Sequence, residues 1–304
     1  MQNNPADLKK IPAKINFNQT TFMKSRRQFI RTGSLAATVL LATKPFQGLA
    51  KYSSFVKGIS ANGTHLTILH TANIQAVLHA SNGLGGFKNT AKTIEAVKDV
   101  SHNALLLDTG NFLSGNVSDH QELFPLLKRA GYDAMLPSKN DLKHEATNEL
   151  PVLDNLQPYH IIQKGKIRIG IIAATTGNQL FTSSTIGAIN ALAASLKSTH
   201  QCNLVICLSD LGYKNTNNVD DVTLATSSEH IDVIIGNEPE LCMKTPTIKQ
   251  NINKHEVIIN HIGKAGVVLG RMDFAFDENN QKKEVVFDNL MIGTPGNRWK
   301  KTTA

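Results

Sequence analysis

Four times in this chain an apolar run breaks off into a short polar loop, and that recurrence constrains the fold more than any other feature. The segments are Leu66-Thr-Ile-Leu-His-Thr-Ala-Asn-Ile-Gln75, Leu105-Leu-Leu-Asp-Thr-Gly-Asn111, Val205-Ile-Cys-Leu-Ser-Asp210 and Val233-Ile-Ile-Gly-Asn-Glu238. Short runs of apolar and β-branched residues bounded by Gly, Asn and Asp read as buried strands. In open α/β sheets, ligands sit outside the carboxyl ends of the strands. If these strands are neighbours, the four polar loops converge on one site.

Between the strands, the apolar spacing changes to that of helices. Ala91, Ile94, Ala96, Val97 and Val100 mark a helix over residues 87–100. Leu123, Leu126 and Leu127 mark one over 120–130, closed by Gly131 as a C-cap. Further helices are predicted at 185–198 and 219–226, and further strands at 104–107, 167–173, 204–208 and 231–235. Ile161 and Ile162 pair with residues 167–173 in a hairpin about Lys164-Gly165. From Glu256 the period falls to two, over 257–259, 267–276 and 284–287, and these read as antiparallel strands closing a sheet. Gly83-Leu-Gly-Gly86 reads as a tight turn before a helix rather than a phosphate loop. Strands alternating with helices, followed by a β-rich end, give an α/β fold with mixed sheets.

The net charge of +8 suggests a nucleic-acid partner until its distribution is examined. Residues 1–50 carry eight basic side chains against Asp7 alone, and the remainder carries 24 basic against 23 acidic. The basicity therefore belongs to the leader, and no nucleic-acid partner is implied. That leader has a paired arginine, Arg26-Arg27, then an apolar run over 35–42, then Gly48-Leu-Ala50, the order of a twin-arginine export signal. An eight-residue apolar run is far short of the roughly 20 residues a membrane span needs. The expected organisation is a leader over 1–50, a linker over 51–63 and a single domain over 64–304. The twin-arginine translocase is the expected partner during export, the periplasm or cell envelope the destination, with no membrane span in the mature domain. Cys202, Cys207 and Cys242 form no zinc spacing, and Cys207 reads as a small buried hydrophobe inside a strand.

Residues 66–75, 106–115, 131–141, 204–212 and 231–240, in that order, resemble the five sequence blocks of the calcineurin-like metallophosphoesterases. Within these, they are most similar to the metallophosphatase domain of bacterial 5′-nucleotidases. The resemblance extends through Gly266-Val-Val-Leu-Gly-Arg-Met-Asp-Phe274 and covers residues 65 to about 290. It implies a four-layer αββα sandwich of two mixed β-sheets flanked by helices. It also implies two divalent metal ions held by Asp, His and Asn, and a histidine acting as acid. The family's separate nucleoside-binding C-terminal domain is not expected within this chain, and a separate polypeptide carrying such a domain is an expected partner.

At the positions where the resemblance places those functional residues, this chain has Asn73, Gln75, Asn111, Lys139, Asn140, Asp210, Glu238 and Glu240. Asn140 falls where the catalytic histidine belongs, Lys139 where a metal-binding asparagine belongs, and Asn111 where the bridging aspartate belongs. An amide keeps the shape of a carboxylate without the charge that offsets a divalent cation, and loss of every imidazole removes ligands suited to zinc, manganese or iron. The expectation is therefore no metal cofactor, no catalytic residue in the family's sense, and Lys139 ion-paired with Asp210, Glu238 and Glu240 in place of the metals. Three functions remain open. The first is an exported pseudo-phosphatase with a binding or partner role. The second is an active phosphoesterase using Ca²⁺ or Mg²⁺ on oxygen ligands. The third is a non-catalytic subunit of a split nucleotidase. Asp108, just before Thr109-Gly110, reads as a residue that supports its turn.

Overall fold

The computed structural model describes residues 64–115, 117–153, 159–175, 183–214 and 219–293. The leader, with Arg26 and Arg27, and the linker lie outside the described residues. Two six-stranded sheets form the centre. The first runs β11 (Lys282–Phe287), β10 (Val268–Phe276), β1 (Thr64–Thr71), β2 (Ala104–Asp108) and β3 (Ala134–Met135), with β12 (Leu290–Met291) on β10. The second runs β4 (Tyr159–Lys164), β5 (Ile167–Ala174), β6 (Leu204–Ser209), β7 (Val233–Gly236), β9 (Glu256–Asn260) and β8 (Thr247–Gln250).

β1, β2 and β3 are parallel, as are β5, β6, β7 and β9, while the outer strands pair antiparallel. A central parallel strand is buried on both faces, which is why β2 and β6 are apolar up to their last residues, Asp108 and Ser209, rather than alternating. Leu66, Ile68, Leu105 and Leu107 of the first sheet meet Ile169, Ile206, Leu208 and Ile235 of the second in a shared middle core. Each such fully buried aliphatic side chain contributes about 1.5–3 kcal/mol relative to exposure.

The other faces carry the helices. α1 (Phe87–Val100) and α2 (His120–Ala130) pack Phe87, Ile94, Leu123 and Leu127 against Leu69 and Leu106. α3 (Ser183–Ser198) and α4 (Asp221–Ser227) pack Ile189, Leu196 and Leu224 against Val205 and Ile234. The layers are therefore helix, sheet, sheet, helix, the expected αββα sandwich. Gly131 ends α2 in the left-handed region (φ 65°), as a C-cap glycine does. Gly85 and Gly86 form the turn before α1, and their N–H groups are already given to Ile292 O and Ala265 O, both at 2.9 Å. Those two N–H groups are therefore not free to cradle a phosphate.

Four strands depart from the reading. Residues 257–259 were expected to be antiparallel: β9 does pair antiparallel with β8, but it also runs parallel to β7 and joins the second sheet, whereas β10 and β11 return to the first. Val257, Ile258 and Ile259 are all buried because β9 is sandwiched, so their run carries no directional signal. The two-residue β3 was missed, and so were β8 and β12. The last two are short and only partly buried, so neither shows an apolar pattern.

Candidate functional site

The carboxyl ends of the parallel strands of both sheets point the same way, and their loops are tied together by hydrogen bonds. Asn73 N donates to Gly110 O (3.0 Å) and Gln75 N to Asn111 O (3.1 Å), joining the loops after β1 and β2. Ala265 N donates to Asn73 O (2.8 Å), bringing in the loop after β9. Asn237, after β7, donates its side-chain N–H to Thr109 O (2.7 Å). Asn73, Gln75, Ala76 and Asn111 all have φ between 48° and 59°. That left-handed region is uncommon for residues with a side chain, and such residues concentrate at functional sites.

Asp141 organises this end of the molecule. Fully buried, its carboxylate accepts from Asn111 N (2.7 Å), Ser138 N (2.8 Å) and Leu113 N (2.8 Å), joining the loops after β2 and β3. It stands in the third family block, but only the fold reveals three backbone donors converging on it. Deeper lies a second buried carboxyl. Asp108 accepts from Gly110 N (2.6 Å) and is bonded to Thr71 Oγ1, which lies 2.8 Å from Tyr132 Oη. Burial pushes the Asp108 carboxyl up to about 8, against the opposing effect of those two hydrogen bonds, with the charge of Asp141 adding to the rise. The expectation that Asp108 supports its turn agrees with the Gly110 bond.

Two buried imidazoles flank the second sheet. His70, at the end of β1, faces the middle core and accepts from Asn260 Nδ2 at 2.8 Å; burial, and then His261 nearby, pull it down to about 3. His261 lies 2.9 Å from Asp221 Oδ2 under α4, and Ser209 donates to the same carboxylate. All three are fully buried. Gly236 is required there, because a β-carbon on it would overlap the His261 ring and Asp221. No pattern in the sequence brings Ser209, Asp221 and His261 together.

The family-matched positions fall into two groups. Asn73, Gln75 and Asn111 converge: Asn111 Nδ2 donates to Asn73 Oδ1 (2.9 Å), and Asn73 Nδ2 donates to Gly263 O (3.2 Å). Asp210, Glu238, Glu240, Lys139 and Asn140 do not join them in a cluster. Asp210 Oδ2 accepts from Thr175 Oγ1 at 2.7 Å. Glu240, with 78% of its side chain exposed, pairs with Lys264. Lys139 is exposed and forms no ion pair among the described residues, so the expected Lys139–carboxylate network is corrected. The reason is local: Asp141 turns inward to take the backbone N–H groups, which leaves Lys139 and Asn140 on the outside of the turn. Asn140 there accepts from Lys143 Nζ at 2.9 Å. Beside the converged group runs an open groove of about 570 Å³, lined by Gln75, His79, Ser114 and Asp119 among others. Cys202 and Cys207 are buried free thiols, as read for Cys207, and Cys242 is exposed.

No family model matches the chain. A 5′-nucleotidase of Vibrio cholerae is 26% identical over 288 residues, covering 74% of this chain and 51% of that protein. The chain thus spans about half the length of the curated relative it matches. Among solved structures, the NAD nucleotidase of Haemophilus influenzae aligns with a TM-score of 0.64 at 17% identity, covering 76% of this chain and 51% of its own. The 5′-nucleotidase precursor of Thermus thermophilus aligns at 0.64 with 20% identity, over 78% and 57%. The calcineurin-like phosphoesterase YfkN of Bacillus subtilis aligns at 0.58 with 16% identity, over 78% and 94%.

These relatives overturn one expectation. The metallophosphatase family whose fold the chain shares is dimetal-dependent, so the reading that no metal cofactor is to be expected does not stand. A separate question is whether this chain's residues fit the family's pair of ions, and they do not. Among the described residues no three His, Cys, Asp or Glu side chains come together as a metal site. The two amides nearest the centre point a donor N–H at an oxygen rather than an oxygen pair at a shared cation. No helix among the described residues is long and apolar enough to cross a membrane. The two mixed sheets between helices give the chain the fold of the calcineurin-like metallophosphatases, and its sequence is similar to that of a 5′-nucleotidase.

Proposed function

We propose that this chain is a pseudo-phosphatase: it keeps the metallophosphatase scaffold but does not hydrolyse phosphoesters by the family's two-metal route, and uses the strand-end face for binding. The observation that carries the reading is the Asn111–Asn73–Gly263 chain of hydrogen bonds, in which amide N–H groups occupy the space between two loops where a bridging carboxylate would hold its cations. Dimetal hydrolysis needs ligands that activate a water and stabilise both oxygens of the displacement. Here two of the three matched carboxylates, Asp210 and Glu240, are engaged by Thr175 and Lys264, and the position of the acid histidine is an exposed asparagine.

The test is turnover of p-nitrophenyl phosphate and AMP by the purified chain in Mn²⁺, Zn²⁺, Mg²⁺ and Ca²⁺, with the bound metal counted by elemental analysis. No turnover in any metal supports the reading. Turnover that Asn111→Ala abolishes while the fold persists overturns it.

The same proposal includes export by the twin-arginine route through Arg26 and Arg27, supported by the leader's composition and by a relative named as a precursor. Replacing both arginines with lysine then holds the protein in the cytoplasm. A separate polypeptide supplying a nucleotidase C-terminal domain is the partner this reading favours, and co-purification from the source cell tests it.

A further inference from the structure

Asparagine side chains donate three hydrogen bonds among the strand-end loops: those of Asn73 and Asn237 cross between the two sheets, and that of Asn111 ties the loop after β2 to Asn73 within the first sheet. Asn73 Nδ2, after β1 of the first sheet, donates to Gly263 O, after β9 of the second, at 3.2 Å. Asn111 Nδ2, after β2, donates to Asn73 Oδ1 at 2.9 Å. Asn237 Nδ2, after β7 of the second sheet, donates back to Thr109 O, after β2 of the first, at 2.7 Å. Asn73 is fully buried.

Aspartate has the size of asparagine and also tolerates the left-handed backbone of Asn73 (φ 48°) and Asn111 (φ 59°). What it lacks is the donor. A carboxylate at position 73 faces Gly263 O, one at 111 faces Asn73 Oδ1, and one at 237 faces Thr109 O: an oxygen against an oxygen each time. Turning over the Asn73 amide does not help, since its oxygen then meets Gly263 O and its nitrogen meets Asn111 Nδ2. The amide is fixed by its two partners, and asparagine is the residue the geometry requires at each point.

We propose that Asn73, Asn111 and Asn237 form a clasp that locks the strand-end loops of one sheet to those of the other, so that the binding face is held in shape by the chain's own amides. It rests on the reading that the two-metal route is lost, and it adds what holds the face together in its absence. It also gives a role to the amide at two of the changed positions, Asn73 and Asn111.

The experiment uses the full chain with Asn73→Asp, Asn111→Asp and Asn237→Asp, their alanine counterparts, and the double variant Asn73→Ala/Asn111→Ala. Urea unfolding and amide hydrogen exchange are followed. Asn73→Asp, whose bond is buried, is expected to raise the unfolding equilibrium constant at least about tenfold, and Asn111→Asp and Asn237→Asp, whose bonds are part-buried, at least about threefold each. Exchange should quicken in the opposite sheet's loop as well: at Ala265 for Asn73, and at Gly110 and Asn111 for Asn237. The double alanine variant should cost about fivefold less than the product of the single effects, because both break the same bond. If the aspartate variants fail to fold, the alanine variants carry the exchange test. Exchange that changes only in the substituted residue's own loop, with independent single effects, overturns the clasp. Phosphoester turnover by the wild type overturns the pseudo-phosphatase reading instead, and is scored separately.

Discussion

Asp108 offers a quantitative check on how the floor of this site is built. Its carboxyl sits fully buried with a folded-state value of about 8, against an ordinary value of 3.8. Between those values the folded protein holds a proton that the unfolded chain has released. The stability this contributes is fully present below about pH 4 and is lost as pH rises through 8. One unit corresponds to about 1.4 kcal/mol, so from pH 5 to pH 7.5 the contribution falls by about 3 kcal/mol. Asp108→Asn removes the titration and keeps the contacts: the amide oxygen accepts from Gly110 N, and the amide nitrogen donates to Thr71 Oγ1, whose hydroxyl then serves Tyr132. Urea unfolding of both proteins at half-unit steps of pH gives a difference curve in which every other group cancels. The variant should match the wild type within about 1 kcal/mol at pH 5 and gain about 3 kcal/mol on it by pH 7.5. A flat difference across that range would refute the reasoning, since Asp108 would then be ionised throughout and its burial would not govern it.

His70 has the opposite sign. Held at about 3 against 6.5, it makes the protein lose stability as pH falls from 6.5 towards 3, at about 1.4 kcal/mol per unit, so the penalty of His70→Gln relative to wild type should shrink by that slope in acid unfolding. Asp141→Ala leaves three backbone N–H groups of the loops after β2 and β3 without their acceptor and should cost about 3 kcal/mol or more, read by thermal unfolding, with exchange rising at Asn111 and Leu113. Gly236→Ala forces a methyl into His261 and Asp221 and should cost about 1–3 kcal/mol, whereas Gly187→Ala, where an added carbon meets nothing, should be neutral or slightly stabilising in the same assay.

Much of the fold was legible because burial writes itself into apolar periodicity. The helix expected over 120–130 is α2 to the residue, and the hairpin about Lys164-Gly165 joins β4 to β5 as read. β9 was the exception. A strand enclosed on both faces carries no alternation, so its direction depends on which neighbours the chain reaches, and those lie across a crossover.

The site was legible in part, and for a chemical reason. The sequence alone determined that polar loops follow the parallel strands, and which residue types stand in them: Asn73, Gln75, Asn111, Asn140 and the carboxylates, with no imidazole at a matched position. Tertiary structure decided what each of them does. Lys139 was read as the centre of an ionic network and lies exposed, because Asp141, two residues on, takes three backbone N–H groups and faces inward. Asn73 and Asn111 were read as carboxylates without charge; the fold makes them donors, each with its N–H directed at a particular oxygen. Residue type fixes which atoms a side chain can offer, but a hydrogen bond also needs a partner within about 3 Å at a given angle. For Asn73 that partner is Gly263, 190 positions away in the sequence, and only the packing of one sheet against the other brings them together.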